Sequence, residues 1–355
     1  MIDLSALKHI NLSHPAWRFA AASLCPALGL SIGAWMGGGW AFGGLLGMTL
    51  VIAAADRLTH GLMQDGPLRA DLWTDRLVLG LGVAHFLVLA FALFALSGGA
   101  GLGLWGWMFS FLGFGLWFGQ VANPVAHELI HKTARLPFGL GMAVYISLLY
   151  GHHTSAHRLV HHRFVATPDD PNTAAAGEGF YAFLRRAWPG EFVAGYEMEC
   201  GLREGKAQAW RNPYVVYLGG ALAGAVLIAA LFGLVGLIVW LMLAAHAQVQ
   251  LLLSDYVQHY GLVRDRIGQD EYAAFGAEHS WDAPDPVSGL MMLHATRHAD
   301  HHLHPGRAYP ELELSPGGQA PLLPWSLPMM ATIALVPPLW HRVMDRRLAR
   351  LKAPG

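Results

Sequence analysis

From Phe19 to Ala55 the chain carries no Lys, Arg, Asp or Glu, and the same holds from Leu77 to Ala126 and from Tyr214 to Ser254. No other feature restricts the fold so strongly. A helical span of a bilayer takes about 20 apolar residues, so each stretch suits two spans. The expected turns are Gly37-Gly38-Gly39, then Ser97-Gly98-Gly99-Ala100-Gly101, then Gly233 or Gly236. The expectation is an all-α integral membrane protein of six transmembrane helices in three hairpins, over 19–126 and 214–254. Composition agrees: 13% of residues are charged, where a soluble domain carries about 25%, and the mean hydropathy is +0.37. The segment before Phe19 is too long and too mixed for a cleaved signal peptide, so the first span is expected to stay.

Basic residues set the orientation. Lys132, Arg135, Arg158, Arg163, Arg185, Arg186, Arg203, Lys206 and Arg211 fall between the fourth and fifth expected spans. Arg264, Arg266, Arg297, Arg307, Arg342, Arg346 and Arg347 follow the sixth. This bias places 127–213 and 255–347 in the cytoplasm, as the polar cap of a single membrane domain over 1–355. A net charge of −1 gives no basic face for nucleic acid. Cys25 and Cys200 supply neither a disulfide framework nor a thiolate metal site, so a metal must use other ligands.

Histidine is the outlier, at 20 residues against 23 Lys and Arg together. The cap contains His127-Glu128-Leu129-Ile130-His131, His157-Arg158-Leu159-Val160-His161-His162, His259, and His298-Ala299-Asp300-His301-His302. Residues three or four apart on a helix share a face, so each H-x3-H or H-x2-H pair is expected to aim two imidazoles at one point. The adjacent His162 and His302, about 100° away, would then reach a second metal. His127, His131, His157, His161, His162, His259, His298, His301 and His302 together exceed one ion's needs and suit two, with four or five ligands each. Imidazole suits Zn, Cu, Fe and Ni, and the ligand number favours a pair of irons over one zinc. Ionisable residues at a membrane edge are functional by default, because lipid makes them costly.

The remaining histidines read differently. His9, His14, His60 and His341 look solvated or interfacial. His85 and His246 lie inside spans and suit helix–helix hydrogen bonds. His152, His153, His279, His294 and His304 lie close enough to support ligands. Among acids, Asp169, Asp170, Glu178, Asp255 and Asp300 are candidates to orient imidazoles through their other ring nitrogen.

At these histidine segments, together with Asn123 to Lys132, Val165 to Pro171, Gly177 to Tyr181, Gln258 to Gly261, His279-Ser280-Trp281 and Leu335 to Trp340, the chain resembles the membrane-bound alkane 1-monooxygenases. These belong to the wider superfamily of membrane fatty acid desaturases and hydroxylases. The resemblance runs over roughly residues 50 to 347. It implies six membrane helices in a bacterial inner membrane, capped by a cytoplasmic diiron site, with apolar substrate entering from the bilayer. It assigns the same nine histidines as ligands. Four positions depart from the family pattern: Ala156 stands for a glutamate, Val160 for a glycine, Asp255 for an asparagine, and His294 begins a segment that usually reads Asn-Leu-Gln-Arg. These alter the surroundings that select a substrate.

An alkane C–H bond offers no acid, dipole or leaving group, so the metal must perform the difficult step. The expected activity is O2-dependent hydroxylation of a terminal or unactivated C–H bond. The chain has no CxxC pair and no glycine-rich dinucleotide motif, so electrons are expected from rubredoxin or ferredoxin with its reductase. The nearest rival is a hydroxylase or desaturase of a fatty acid, alkylbenzene or terpenoid. A more distant one is a membrane zinc protease with Glu128 as general base. A third is a transporter, which should place its histidines at mid-membrane depth. Gly43, Gly44 and Gly47 could leave room for substrate beside the second span, or could serve close helix packing.

Overall fold

The computed structural model describes residues 14–60, 68–205, 211–269, 271–315 and 318–351; His9 and Lys206 lie outside them. Among these residues the chain is helical. The only pairing of strand type is at two isolated bridges, Arg266 with Tyr272 and Asp282 with Leu322.

Four helices are long and apolar enough to cross a bilayer: α1 (Ala16–Met36), α2 (Gly38–Thr59), α3 (Leu72–Gly99) and, after α4 to α7, α8 (Tyr214–His259). Their outer surfaces carry large apolar side chains, among them Leu28, Trp35, Leu50, Leu87, Leu222 and Leu234, all more than half exposed. In water such a surface would aggregate; against lipid it is the favourable one. The protein is therefore a membrane protein. Helix α4, over 104–130, runs through Leu104–Trp117, a π-helical turn Phe118–Ala122 and Asn123–Ile130.

Glycines make the reversals where a positive φ is required. Gly37 and Gly38 separate α1 from α2 at φ 68° and 52°. Gly98 (φ 108°) and Gly101 (φ 62°) separate α3 from α4. Gly233, at φ 65° and ψ −166°, breaks α8 within its 46 residues. Residues with a Cβ rarely adopt this region. The bends lie near one another: a Cβ on Gly37 would touch Leu102, and one on Gly236 would lie 3.3 Å from Ser97 Oγ.

Polar side chains hold the helices together where hydrophobic burial gives no preference between lipid and protein. Trp117 Nε1 donates to the Ser23 carbonyl at 2.9 Å, joining α4 to α1. Asn123 Nδ2 donates to the Ala247 carbonyl at 2.9 Å, joining α4 to α8. Gln248 Nε2 reaches the Leu148 carbonyl at 2.7 Å, just past α5 (Arg135–Ser147). His85 sits against Ser147 Oγ at 2.7 Å. His246 meets the backbone of Gly115. Both intramembrane histidines thus serve helix contacts.

The cap consists of α6 over 153–164, α7 (Phe180–Gly201), the C-terminal end of α8, α9 (Pro286–Met291), α10 (His298–Leu303), α11 (Leu327–Ala334) and α12 (Pro337–Leu351). Its seat on the membrane helices is specified by α2: Asp56 accepts from the amides of Val287 and Ser288, both at 2.9 Å, and caps α9.

Candidate metal centre

Four segments deliver histidines to one buried region. The last turn of α4 carries His127 and His131, α6 carries His157, His161 and His162, α8 ends on His259, and α10 carries His298, His301 and His302. Their ring nitrogens form two sets. His127, His131, His157, His162 and His301 make one; His161, His259, His298 and His302 make the other. Within each set the ligating atoms all lie within 4.8 Å of one another.

The pairing within the motifs differs from the expectation of simple helical spacing. His127 and His131 share a set, as i,i+4 requires. His157 and His161 do not. Residues His157–His161 form a π-helical turn, whose i→i+5 bonding widens the helix. It brings His157 beside His162, with Nε2 atoms 2.9 Å apart, and sends His161 to the second set. In α10 the i,i+4 pair His298 and His302 stays together at 3.1 Å, and His301 crosses to His162 at 3.1 Å. Each of these two segments therefore contributes to both sets.

The close contacts are between Nε2 atoms: His127 to His157 at 2.8 Å, His131 to His157 at 3.2 Å and His259 to His298 at 3.1 Å. Nitrogens about 2.1 Å from one ion are roughly 3.0 Å apart at right angles and roughly 3.4 Å apart at the tetrahedral angle. The spacing therefore fits a metal with more than four ligands better than tetrahedral zinc. Burial, followed by the neighbouring imidazoles, holds His157, His162, His298, His301 and His302 well below the usual histidine range. They are neutral, each with a lone pair available to an ion.

His161 is the exception. Burial acts to lower it, but the Asp170 carboxylate, with Asp255 and Glu191 behind, outweighs burial and holds it up at about 9. Asp170 Oδ2 accepts from His161 Nδ1 at 2.9 Å, while Nε2 is buried with no partner. A bound cation at Nε2 resolves that orphaned atom and leaves the Nδ1 bond intact. Thr173 Oγ1 and the Asn172 amide donate in turn to Asp170, at 2.8 and 3.0 Å. His259 Nδ1 faces the His279 carbonyl at 3.3 Å.

The other candidate acids stand elsewhere. Asp255 accepts from Asn172 Nδ2 at 2.8 Å. Asp300 binds Arg307 and His304, Glu178 pairs with Arg186 at 2.7 Å, and Asp169 is exposed. Glu128, inside the HExxH pattern, is ion-paired to Lys132 at 3.0 Å and belongs to neither set. Of the other histidines, His294 bonds the Tyr309 carbonyl at 3.2 Å, and His152 lies beside Phe192 of α7.

Three supporting residues escape sequence reasoning. Glu191 of α7 accepts from Tyr150 (2.6 Å), Asn172 (3.0 Å) and His153 (2.5 Å), and His153 lies against His157 in a tilted pair with ring centroids 5.0 Å apart. Asn172 bridges Glu191 to Asp255. Asp282 accepts from the Ala299 amide at 2.9 Å and caps α10; burial pushes its carboxyl up to about 7. Asn172 and Asp282 directly follow quoted segments, Val165 to Pro171 and Ser280-Trp281, whereas Glu191 stands near none.

A cavity opens from His127, His157 and His298 between α4, α8 and α11. Gly119, Leu251, Met292, Leu327 and Ala331 are among its walls. The second span does not line it. Gly43 and Gly47 border a separate open groove with Cys25 and Trp40, and Gly44 packs on α1, where a Cβ would lie 3.1 Å from the Gly29 carbonyl oxygen. Ala156 packs on α7 at Gly195, where an added Cβ would sit 2.9 Å from the Ala156 methyl.

Residues 105–314 match the family model described as fatty acid desaturase. Over 250 residues the chain is 31% identical to alkane 1-monooxygenase 2 of Pseudomonas aeruginosa, covering 70% of this chain and 65% of that one. It is 34% identical over 249 residues to alkane 1-monooxygenase 1 of Alcanivorax borkumensis, covering 68% and 61%. To the hydroxylase component of a xylene/toluene monooxygenase from Pseudomonas putida it is 29% identical over 241 residues, covering 63% and 59%. The chain thus spans a little under two thirds of the length of these curated relatives.

Proposed function

We propose, for a chain that belongs to the fatty acid desaturase family, that it is a membrane diiron monooxygenase hydroxylating a terminal or unactivated C–H bond of an alkane or similar apolar molecule. The observation that carries this reading is the convergence of nine imidazoles into sets of five and four beside one cavity. The nine histidines are the proposed ligands of two irons. When bound, such a pair supplies O2 activation and C–H oxidation, which no side chain here can perform.

The residues of the chain do the rest. Asp170, held by Thr173 and Asn172, fixes the ring and tautomer of His161; the His279 carbonyl does so for His259. Neutral rings leave lone pairs directed inward. The walls from α4, α8 and α11 exclude water and present one carbon to His127, His157 and His298. An alkylbenzene methyl group is the second substrate class, supported by the similarity to a xylene/toluene monooxygenase component.

Electrons come from a rubredoxin or ferredoxin with its reductase, docking near the exposed Arg158 and Arg163 beside the histidines. Two features support six spans in three hairpins beyond the four long helices: the break of α8 at Gly233 and the length of α4 at 104–130. The excess of Lys and Arg in the cap supports a cytoplasmic orientation, and the family resemblance supports a bacterial inner membrane. The deciding experiment combines metal analysis with product analysis on reconstituted protein. About two irons per chain and O2-dependent hydroxylation of an alkane or alkylbenzene are expected; one zinc and no iron would overturn the reading in favour of a hydrolase.

A further inference from the structure

The cavity beneath the histidines is more polar than a hydrocarbon requires. Outside the two histidine sets, most polar side chains on its walls have a protein partner. Asn123 donates to Ala247, Tyr145 to the Asn123 carbonyl, Ser254 to Gln258, and Gln258 to the Ala295 carbonyl. Gln120 and Gln250 are different. Both line the cavity, and neither side chain has a hydrogen-bond partner among the described residues. Gln120 is only 7% exposed, and its Oε1 is buried. Gln250 is only partly buried and packs on the backbone of α4 next to Gln120: a Cβ on Gly119 would lie 3.5 Å from Gln250 Cδ.

A buried amide oxygen without a partner, as at Gln120, is unfavourable unless something fills it. Primary amides offer both a donor and an acceptor, so the pair can bind a hydroxyl or a carbonyl. Among the described residues no Lys or Arg lines the cavity, while Asp255 does, and Glu191 follows one residue behind, through Asn172. A carboxylate entering here would lack a cation and face two acids. Gln120 precedes His127 on α4 by seven residues, about 10 Å along the helix.

From these observations we infer that the cavity takes a neutral oxygenated hydrocarbon, a molecule with one hydroxyl or carbonyl group seated on Gln120 and Gln250 and an apolar remainder reaching the histidines. The oxidised carbon is then remote from the existing oxygen. This rests on the oxygenase reading for the reaction, but the binding preference is independent of it.

The test uses iron-loaded full-length protein in nanodiscs without reductant, with affinities for decane, 2-decanone, 1-decanol and decanoate taken from ligand-induced thermal stabilisation. The ketone and the alcohol should bind roughly ten-fold tighter than decane, the scale of a hydrogen bond to an otherwise unpaired group, and decanoate weakest. Gln120→Leu and Gln250→Leu should each reduce the ketone's advantage and leave decane unchanged. Equal binding of decane and 2-decanone by the unaltered protein overturns the inference, as does tightest binding of decanoate or a preference that survives both substitutions. Reductant, carrier and O2 are added separately. A retained preference with no hydroxylated product overturns the oxygenase reading alone, whereas hydroxylation with no preference overturns the pocket alone.

Discussion

The two histidine sets are built by different means. The five-membered set is largely a product of local geometry: His127 with His131 one helical turn apart, and His157 with His162 across a π-helical turn. His131, His127 and His162 in it remain partly exposed. The four-membered set is buried throughout and is tied to the protein by the second ring nitrogen, His161 to Asp170 and His259 to the His279 carbonyl. Periodicity therefore orients most of the first set, whereas in the second it pairs only His298 with His302, and hydrogen bonds to Asp170 and the His279 carbonyl orient His161 and His259. The same ligand chemistry should then respond differently to loss of its supports.

The largest expected effect separates the sets by their ligands. His161→Ala should reduce iron from about two to about one per chain and lower hydroxylation by more than about 100-fold, with the five-membered set still loaded; His157→Ala should leave the other set loaded instead. Elemental analysis with iron spectroscopy reads both, and loss of both irons from either variant would break the distinction. Next in size is Asp170→Asn, expected to weaken metal binding in the four-membered set by roughly 10- to 100-fold and to spare the other. Competition with a chelator resolves the two affinities; a uniform loss would show that Asp170 supports the fold rather than one ring.

A smaller effect should fall on both sets equally. Asp282→Ala removes the cap of α10, which serves both sets through His298, His301 and His302. It should lower stability by about 1 kcal/mol and loosen both irons together, measured by thermal unfolding and chelator titration. The smallest belongs to Glu128→Gln. The side chain pairs with Lys132 rather than facing either set, so iron content and hydroxylation should stay near those of the unaltered protein, with the loss confined to thermal stability. Abolished activity without a change in iron would revive Glu128 as a general base.

The long uncharged runs determine a membrane protein, because removing charge over such lengths has no other economical use in a folded chain. The glycine breaks were equally legible: Gly37-Gly38, Gly98 and Gly233 all take positive φ where the sequence expects turns. The histidine clusters name the region of the candidate metal centre, since their density and spacing exceed what packing explains. Only the tertiary structure decides which imidazole joins which set. A π-helical turn at His157–His161 differs from an α-turn by one residue of register, a choice fixed by packing and not by local propensity. Glu191, Asn172 and Asp282 act across long separations, as Asn172 to Asp255 shows, and one-dimensional periodicity carries no record of such contacts. The same reason hides Gln120 and Gln250, whose meaning lies in the partners that the folded cavity does not give them.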